Sequence, residues 1–318
     1  MKILNRILLF VLSMMLFSCE DILEEDITDD IVHLVSPVNQ QEITSNVVNF
    51  QWQVIKGAED YRIQIFSSNQ AMVLDSLVGS NTAVFPMAPG NYQWRVRGEN
   101  FAYTSSYSFT STFTVVETDD LTNQQVILSS PNVNYYNSNS ITFTWQAINV
   151  AEKYNFELVN VTNGQTLVHQ VQDLVTNTLT LTNTILVDDA EYQWKVKALN
   201  SLPSSTPFAI RNFFIDRVNP NQPVNATPTA NSTQVAGQPI TFTWSMPADN
   251  GTIQSTISYI IEFSNNSSFS SIIQTSNSAT NSFQQTFQEE GDYFWRIRAK
   301  DQAGNISGYS NHFKFTIE

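Results

Sequence analysis

The chain has 318 residues, with 29 Asp and Glu against 15 Lys and Arg, a net charge of −14, and a single cysteine. So acidic a polymer is repelled by phosphate backbones, which argues against nucleic acid as a partner, and one cysteine excludes an internal disulfide framework. Aromatic residues make up 12%, too many for a disordered chain, and the length suits two or three domains.

Lys2 and Arg6 are the only charges ahead of Cys19, and an apolar run from Ile7 to Phe17 is broken only by Ser13. A membrane-spanning helix needs about 20 such residues, so the run reads as the core of a signal peptide. It ends in Leu16-Phe17-Ser18-Cys19, which resembles the lipobox of bacterial lipoproteins. That resemblance implies a signal peptide over 1–18 and a mature chain whose first residue, Cys19, carries a diacylglycerol on its sulfur. Two or three acyl chains hold a protein on a bilayer where one does so only marginally. Cleavage leaves 13 basic residues against 29 acidic ones, a net charge of −16.

Seven carboxylates follow, at Glu20, Asp21, Glu24, Glu25, Asp26, Asp29 and Asp30. Like charges repel, so 19–30 is expected to be a solvated tether. Acidic residues just after a lipidated cysteine also resemble the surface-export signal of Bacteroidota-type lipoproteins. The expected location is therefore the outer membrane, facing the medium.

Beyond the tether all six tryptophans fall into one repeated pattern. Val48-x-Phe50-x-Trp52 recurs at Ile141-x-Phe143-x-Trp145 and Ile240-x-Phe242-x-Trp244; Tyr92-x-Trp94-x-Val96 recurs at Tyr192-x-Trp194-x-Val196 and Tyr293-x-Trp295-x-Ile297. The period near 100 residues marks a domain array. Alternation of period two marks strands with one buried face. A third common strand starts at Tyr61, Tyr154 and Tyr259, and each repeat opens on a proline: Pro37, Pro131, Pro228. Short strands, turn signals and no helical periodicity predict an all-β tandem array of three two-sheet sandwiches.

These residues resemble fibronectin type III modules, which are Ig-like sandwiches. The Trp of the second strand, the Tyr of the third, and the sixth-strand Tyr-x-Trp with its alternating Arg or Lys carry the likeness. It implies a core built on Trp52, Trp94, Trp145, Trp194, Trp244 and Trp295. It also implies tyrosine corners at Tyr92, Tyr192 and Tyr293. Module one is placed at 31–116, module two at 126–216 and module three at 224–318. The polar segment 117–125 is expected to be flexible. Pro220, Pro223 and Pro228 are expected to stiffen the next linker, holding modules two and three apart or at a fixed angle.

No nucleophile–base pairing, phosphate loop or zinc signature occurs, and His33, His169 and His312 are scattered one per repeat. The chain therefore reads as a non-enzyme without a cofactor beyond the lipid. Function on such scaffolds sits in loops. The loop between the second and third strands of module three is six residues longer than in the other modules, and holds Asp249 and Asn250. In the fibronectin arrangement it shares one end with the loop holding Asp301 and Asn305. Four oxygen-bearing side chains there suit Ca²⁺, and suit plain turns as well. Phe101, Tyr103 and Tyr107 in module one are candidates for a partner or a glycan. Asp75-Ser76-Leu77 resembles a Bacteroidota O-glycosylation motif, with Ser76 as acceptor. The leading expectation is a lipid-anchored, protein-binding subunit of an outer-membrane complex. A glycan-binding surface lipoprotein or an adhesin is the alternative.

Overall fold

The computed structural model describes residues 24–318, all outside helices; the signal peptide and Cys19 lie outside the described residues. The chain divides into two compact units, Met1–Asp119 and Asp120–Glu318. The first holds module one, and the second holds modules two and three together.

Module one runs β1 (Leu34–Ser36), β2 (Gln41–Ile43), β3 (Val47–Trp52), β4 (Asp60–Ser67), β5 (Met72–Val78), β6 (Thr82–Pro86), β7 (Gly90–Glu99) and β8 (Ser111–Val115). One sheet has the order β1-β3-β6 and the other β2-β8-β7-β4-β5. The first extended segment changes sheets at a cis Ser36-Pro37 bond: β1 pairs antiparallel with β3, and β2 pairs parallel with β8.

Module two repeats this plan. Its strands are β9 (Leu128–Ser130), β10 (Tyr135–Tyr136), β11 (Ser140–Trp145), β12 (Lys153–Asn160), β13 (Thr166–Leu174), β14 (Thr178–Thr182), β15 (Glu191–Leu199) and β16 (Ala209–Ile215). Module three follows with β17 (Asn225–Thr227), β18 (Ser232–Gln234), β19 (Pro239–Trp244), β20 (Ser258–Ser264), β21 (Ile272–Ser278), β22 (Ser282–Thr286), β23 (Gly291–Lys300) and β24 (Phe313–Ile317). Both have the same three-plus-five strand order. This is the all-β array of three fibronectin III-like sandwiches that the repeats imply.

The alternation in sequence becomes burial. In β3, Val48, Phe50 and Trp52 are buried while Asn49 and Gln51 are exposed. All six tryptophans are at most 2% exposed. In each module a phenylalanine stands edge-on to the sixth-strand indole: Phe50 to Trp94 at 5.0 Å, Phe143 to Trp194 at 5.2 Å, Phe242 to Trp295 at 5.3 Å. Such tilted contacts match the ring quadrupoles. The tyrosine corners form as the resemblance implies. The Tyr92, Tyr192 and Tyr293 hydroxyls donate to the carbonyls of Ala88, Asp188 and Glu289 at 2.9, 3.1 and 3.0 Å.

The segments between repeats differ from the sequence expectation. Glu24 to Asp30, placed in the solvated tether, packs on module one: Ile27 is fully buried in its core, and the Asn100 amide donates to the Glu25 carbonyl at 2.9 Å. Likewise Leu121, within the segment expected to be flexible, is fully buried in the core of module two. Each is an apolar plug ten residues ahead of the cis proline. Burying a Leu or Ile contributes about 1.5–3 kcal/mol, which helps hold each segment against its module. Between modules two and three, Pro220 and Pro223 are buried, and Asn305 of module three donates to the Asp216 carbonyl at the end of module two, so of the two arrangements expected there the modules are not held apart.

Candidate functional site

Module two ends and module three begins at Asp216, the residue directly after β16. Its amide donates to the Tyr136 carbonyl at 2.9 Å, and its carboxylate Oδ1 accepts from the Val218 amide at 3.1 Å. Two loops of module three meet it. The loop after β19 carries Asp249, and the one after β23 carries Asp301 and Asn305. The loop after β19 turns at Gly251, whose φ of +91° suits glycine; a Cβ there would stand 3.1 Å from the Val218 side chain. The six extra residues thus bring this loop against the linker.

Among the described residues one group of three metal-competent side chains forms here. The carboxylates of Asp216, Asp249 and Asp301 lie within 4.8 Å of one another, and all three residues are buried. Each is held in place by donors. Asp301 Oδ1 accepts from the Asn305 amide and Oδ2 from the Asn305 side-chain nitrogen, both at 2.8 Å. Asn305 Nδ2 also donates to the Asp216 carbonyl at 2.9 Å, tying module three to the end of module two. Asp249 accepts from the amides of Asn250 at 2.9 Å and Ser255 at 2.7 Å. Ser255 Oγ in turn accepts from the Gln302 amide at 2.9 Å, linking the two loops.

Asp216 Oδ2 is the exception: it is buried and has no hydrogen-bond partner. Burial, reinforced by the charges of Asp301, Asp249 and Asp189, pushes the Asp216 carboxyl up to about 6. Like charges this close disfavour one another's ionisation, a cost that a bound cation would relieve. Arg217, the next residue, turns the other way. Its Nη1 pairs with Asp189 of module two at 2.7 Å, and its Nη2 donates to the Leu186 carbonyl at 2.7 Å.

Of the four residues singled out from sequence for Ca²⁺, three gather: Asp249, Asp301 and Asn305. Asn250 is exposed and contributes its backbone amide. Asp216 was missed, since it belongs to the preceding repeat.

The other candidates lie elsewhere. In module one Phe101 is 92% and Tyr103 36% exposed, and Phe109 in the same connection is 86% exposed. Tyr107 is part-buried beneath the Arg95 and Arg97 guanidiniums, 4.2 and 5.0 Å from its ring centre. Tyr309 takes the same place under Arg296 and Arg298, at 3.7 and 4.6 Å. Ser76 sits on the edge strand β5, part-buried on the face it shares with the core-packed Leu74 and Val78. Asp75 beside it is bound by Arg62 and Gln64. A half-open cleft lined by Gln222, Pro223, Val224, Asn225, Asn311 and Phe313 carries no acid, base or nucleophilic residue. Among the described residues no helix is long and apolar enough to cross a membrane.

No family model matches the chain, and no curated protein matches it. Among solved structures it is similar to the FN1–FN3 domains of chicken CNTN1, at 15% identity and a TM-score of 0.39 over 90% of this chain and 97% of that one. It is also similar to the fibronectin(III)-like modules of CbhA from Clostridium thermocellum, at 14% identity and a TM-score of 0.41 over 61% of this chain and 94% of that one.

Proposed function

We propose that the protein is a non-catalytic, lipid-anchored surface protein that binds another protein of the same outer membrane through the 100–109 connection of module one. The observation that carries this reading is the pairing of exposure with position. Phe101 and Phe109 are 92% and 86% exposed, and large exposed aromatics are the usual anchors of protein interfaces. Asn100, at the base of the loop, holds the Glu25 carbonyl. Glu25 is six residues from Cys19, so full extension separates them by at most about 20 Å. A partner seated in the same bilayer is within reach. The indoles, the rings best suited to stacking on sugars, are all buried in the cores.

The test is a gentle-detergent pull-down from native membranes, comparing the full chain with a Phe101→Ser, Phe109→Ser variant, alongside protease shaving of intact cells. The reading expects a stoichiometric membrane protein with the wild type, at least tenfold less with the variant, and complete shaving. Equal recovery by both chains overturns the assignment of the loop. Polysaccharide bound in place of a protein moves the reading to the glycan alternative. Resistance to shaving contradicts surface display.

A further inference from the structure

We propose that Asp216, Asp249 and Asp301 bind a Ca²⁺ ion that fastens the end of module two to two loops of module three. This goes beyond the lipoprotein reading and does not depend on it.

The donor chemistry selects the ion class. Every side chain offering a ligand is a carboxylate, with no histidine or cysteine in the group. Hard oxygen donors favour Ca²⁺ or Mg²⁺ over transition metals. Ca²⁺ accepts irregular, carboxylate-rich shells, whereas Mg²⁺ demands near-octahedral geometry and keeps its waters. Here the three acids come from three separate segments: the linker, the loop after β19 and the loop after β23. Such a shell suits the larger and more tolerant ion.

Two independent features distinguish this group from an ordinary acidic cluster. Asp216 is fully buried, and its Oδ2 has no partner, although buried polar atoms are nearly always satisfied. The surrounding hydrogen bonds are also of the kind that orients ligands. Asn305, Ser255 and the Asn250 amide fix Asp301 and Asp249, as outer-shell donors do around metal sites. The neighbouring cation, Arg217, is turned away to Asp189 and Leu186. A bound divalent cation supplies what the protein leaves out. It also joins the Asp216 side chain to the loop from which Asn305 already donates to the Asp216 carbonyl.

The test is calorimetric titration of the full chain, freed of metal by chelator, with CaCl₂ and separately with MgCl₂, together with thermal unfolding at each concentration. The wild type should show one Ca²⁺ site tighter than the acidic surface background, with a dissociation constant on the order of 10⁻⁴ M or below. The unfolding temperature of the unit holding modules two and three should rise with Ca²⁺. Asp216→Asn should weaken that site at least tenfold and reduce the rise accordingly. Asp249→Asn serves the same purpose if Asp216→Asn does not fold. Asp120→Asn, at the equivalent turn of module two, should leave both readouts unchanged. Binding that survives both Asp216→Asn and Asp249→Asn overturns the proposal, as does a wild type that neither binds nor shifts at 10-fold higher Ca²⁺ (about 10⁻³ M). Mg²⁺ binding as tight as Ca²⁺ overturns the choice of ion.

Discussion

The leading ends of modules two and three start from the same turn and finish in opposite chemistry. Asp120 Oδ1 accepts from the amide two residues on, Thr122, at 2.9 Å, just as Asp216 Oδ1 accepts from Val218 at 3.1 Å. Asp26 repeats the turn ahead of module one with Thr28 at 3.0 Å. Yet Asp26 and Asp120 are exposed, and hydrogen bonds from the threonine hydroxyl and amide hold their carboxyls below the usual range. Asp216 is buried, and its carboxyl is raised. The difference lies in the next side chain. Ile27 and Leu121 fill the pole of their sandwich with hydrocarbon. Arg217 turns back to module two, and Asp216 lies instead against Asp249 and Asp301 of the module-three loops. Local turn geometry therefore does not decide the role of the aspartate; the side chain that follows it and the loops packed against it do.

Removing the hydrocarbon seal should have the largest effect. Leu121→Ala is expected to cost the unit 120–318 about 2–5 kcal/mol of unfolding free energy, with or without Ca²⁺; Ile27→Ala should do the same to module one. Denaturant unfolding of the full chain reads this, and a loss below about 1 kcal/mol would mean that the plugs are incidental. Next comes the carboxylate seal. At Ca²⁺ concentrations 100-fold above the wild-type dissociation constant the same unit should gain about 2.7 kcal/mol, and Asp216→Asn no more than about 1.4 kcal/mol. The tyrosine corner is a smaller term common to both modules. Tyr192→Phe removes the bond to the Asp188 carbonyl and should cost about 1 kcal/mol, equally in Ca²⁺ and in chelator. Smallest is Lys56→Ala. Its pair with Glu25 spans 2.9 Å, but the lysine is 88% exposed, so no measurable change in unfolding is expected.

The sandwiches were legible because their signal is repetitive and local. Alternation around Trp52, Trp145 and Trp244 sets the buried face, and the Tyr-x-Trp strands repeat with it. The plugs were missed because Ile27 and Leu121 are single apolar residues among acids and amides, where charge density suggests a solvated chain. Their common distance to the cis prolines at 37 and 131 was the available clue. The metal candidate was half legible. Loop length pointed to Asp249, and shared topology brought in Asp301 and Asn305. Asp216 comes from the preceding repeat, and its contribution depends on how two modules meet, which no pattern within one module encodes. Asn250 looked equivalent to Asp249 in sequence, but a one-residue step in a turn sends its side chain to solvent.

The most direct measurement is a crystal structure of the full chain grown with CaCl₂, with anomalous scattering collected to locate the ion. The account predicts one Ca²⁺ at the start of module three, with carboxylate oxygens of Asp216, Asp249 and Asp301 at about 2.3–2.6 Å. A structure in which Asp216 instead shares a proton with Asp249 or Asp301, with no ion between them, would contradict it.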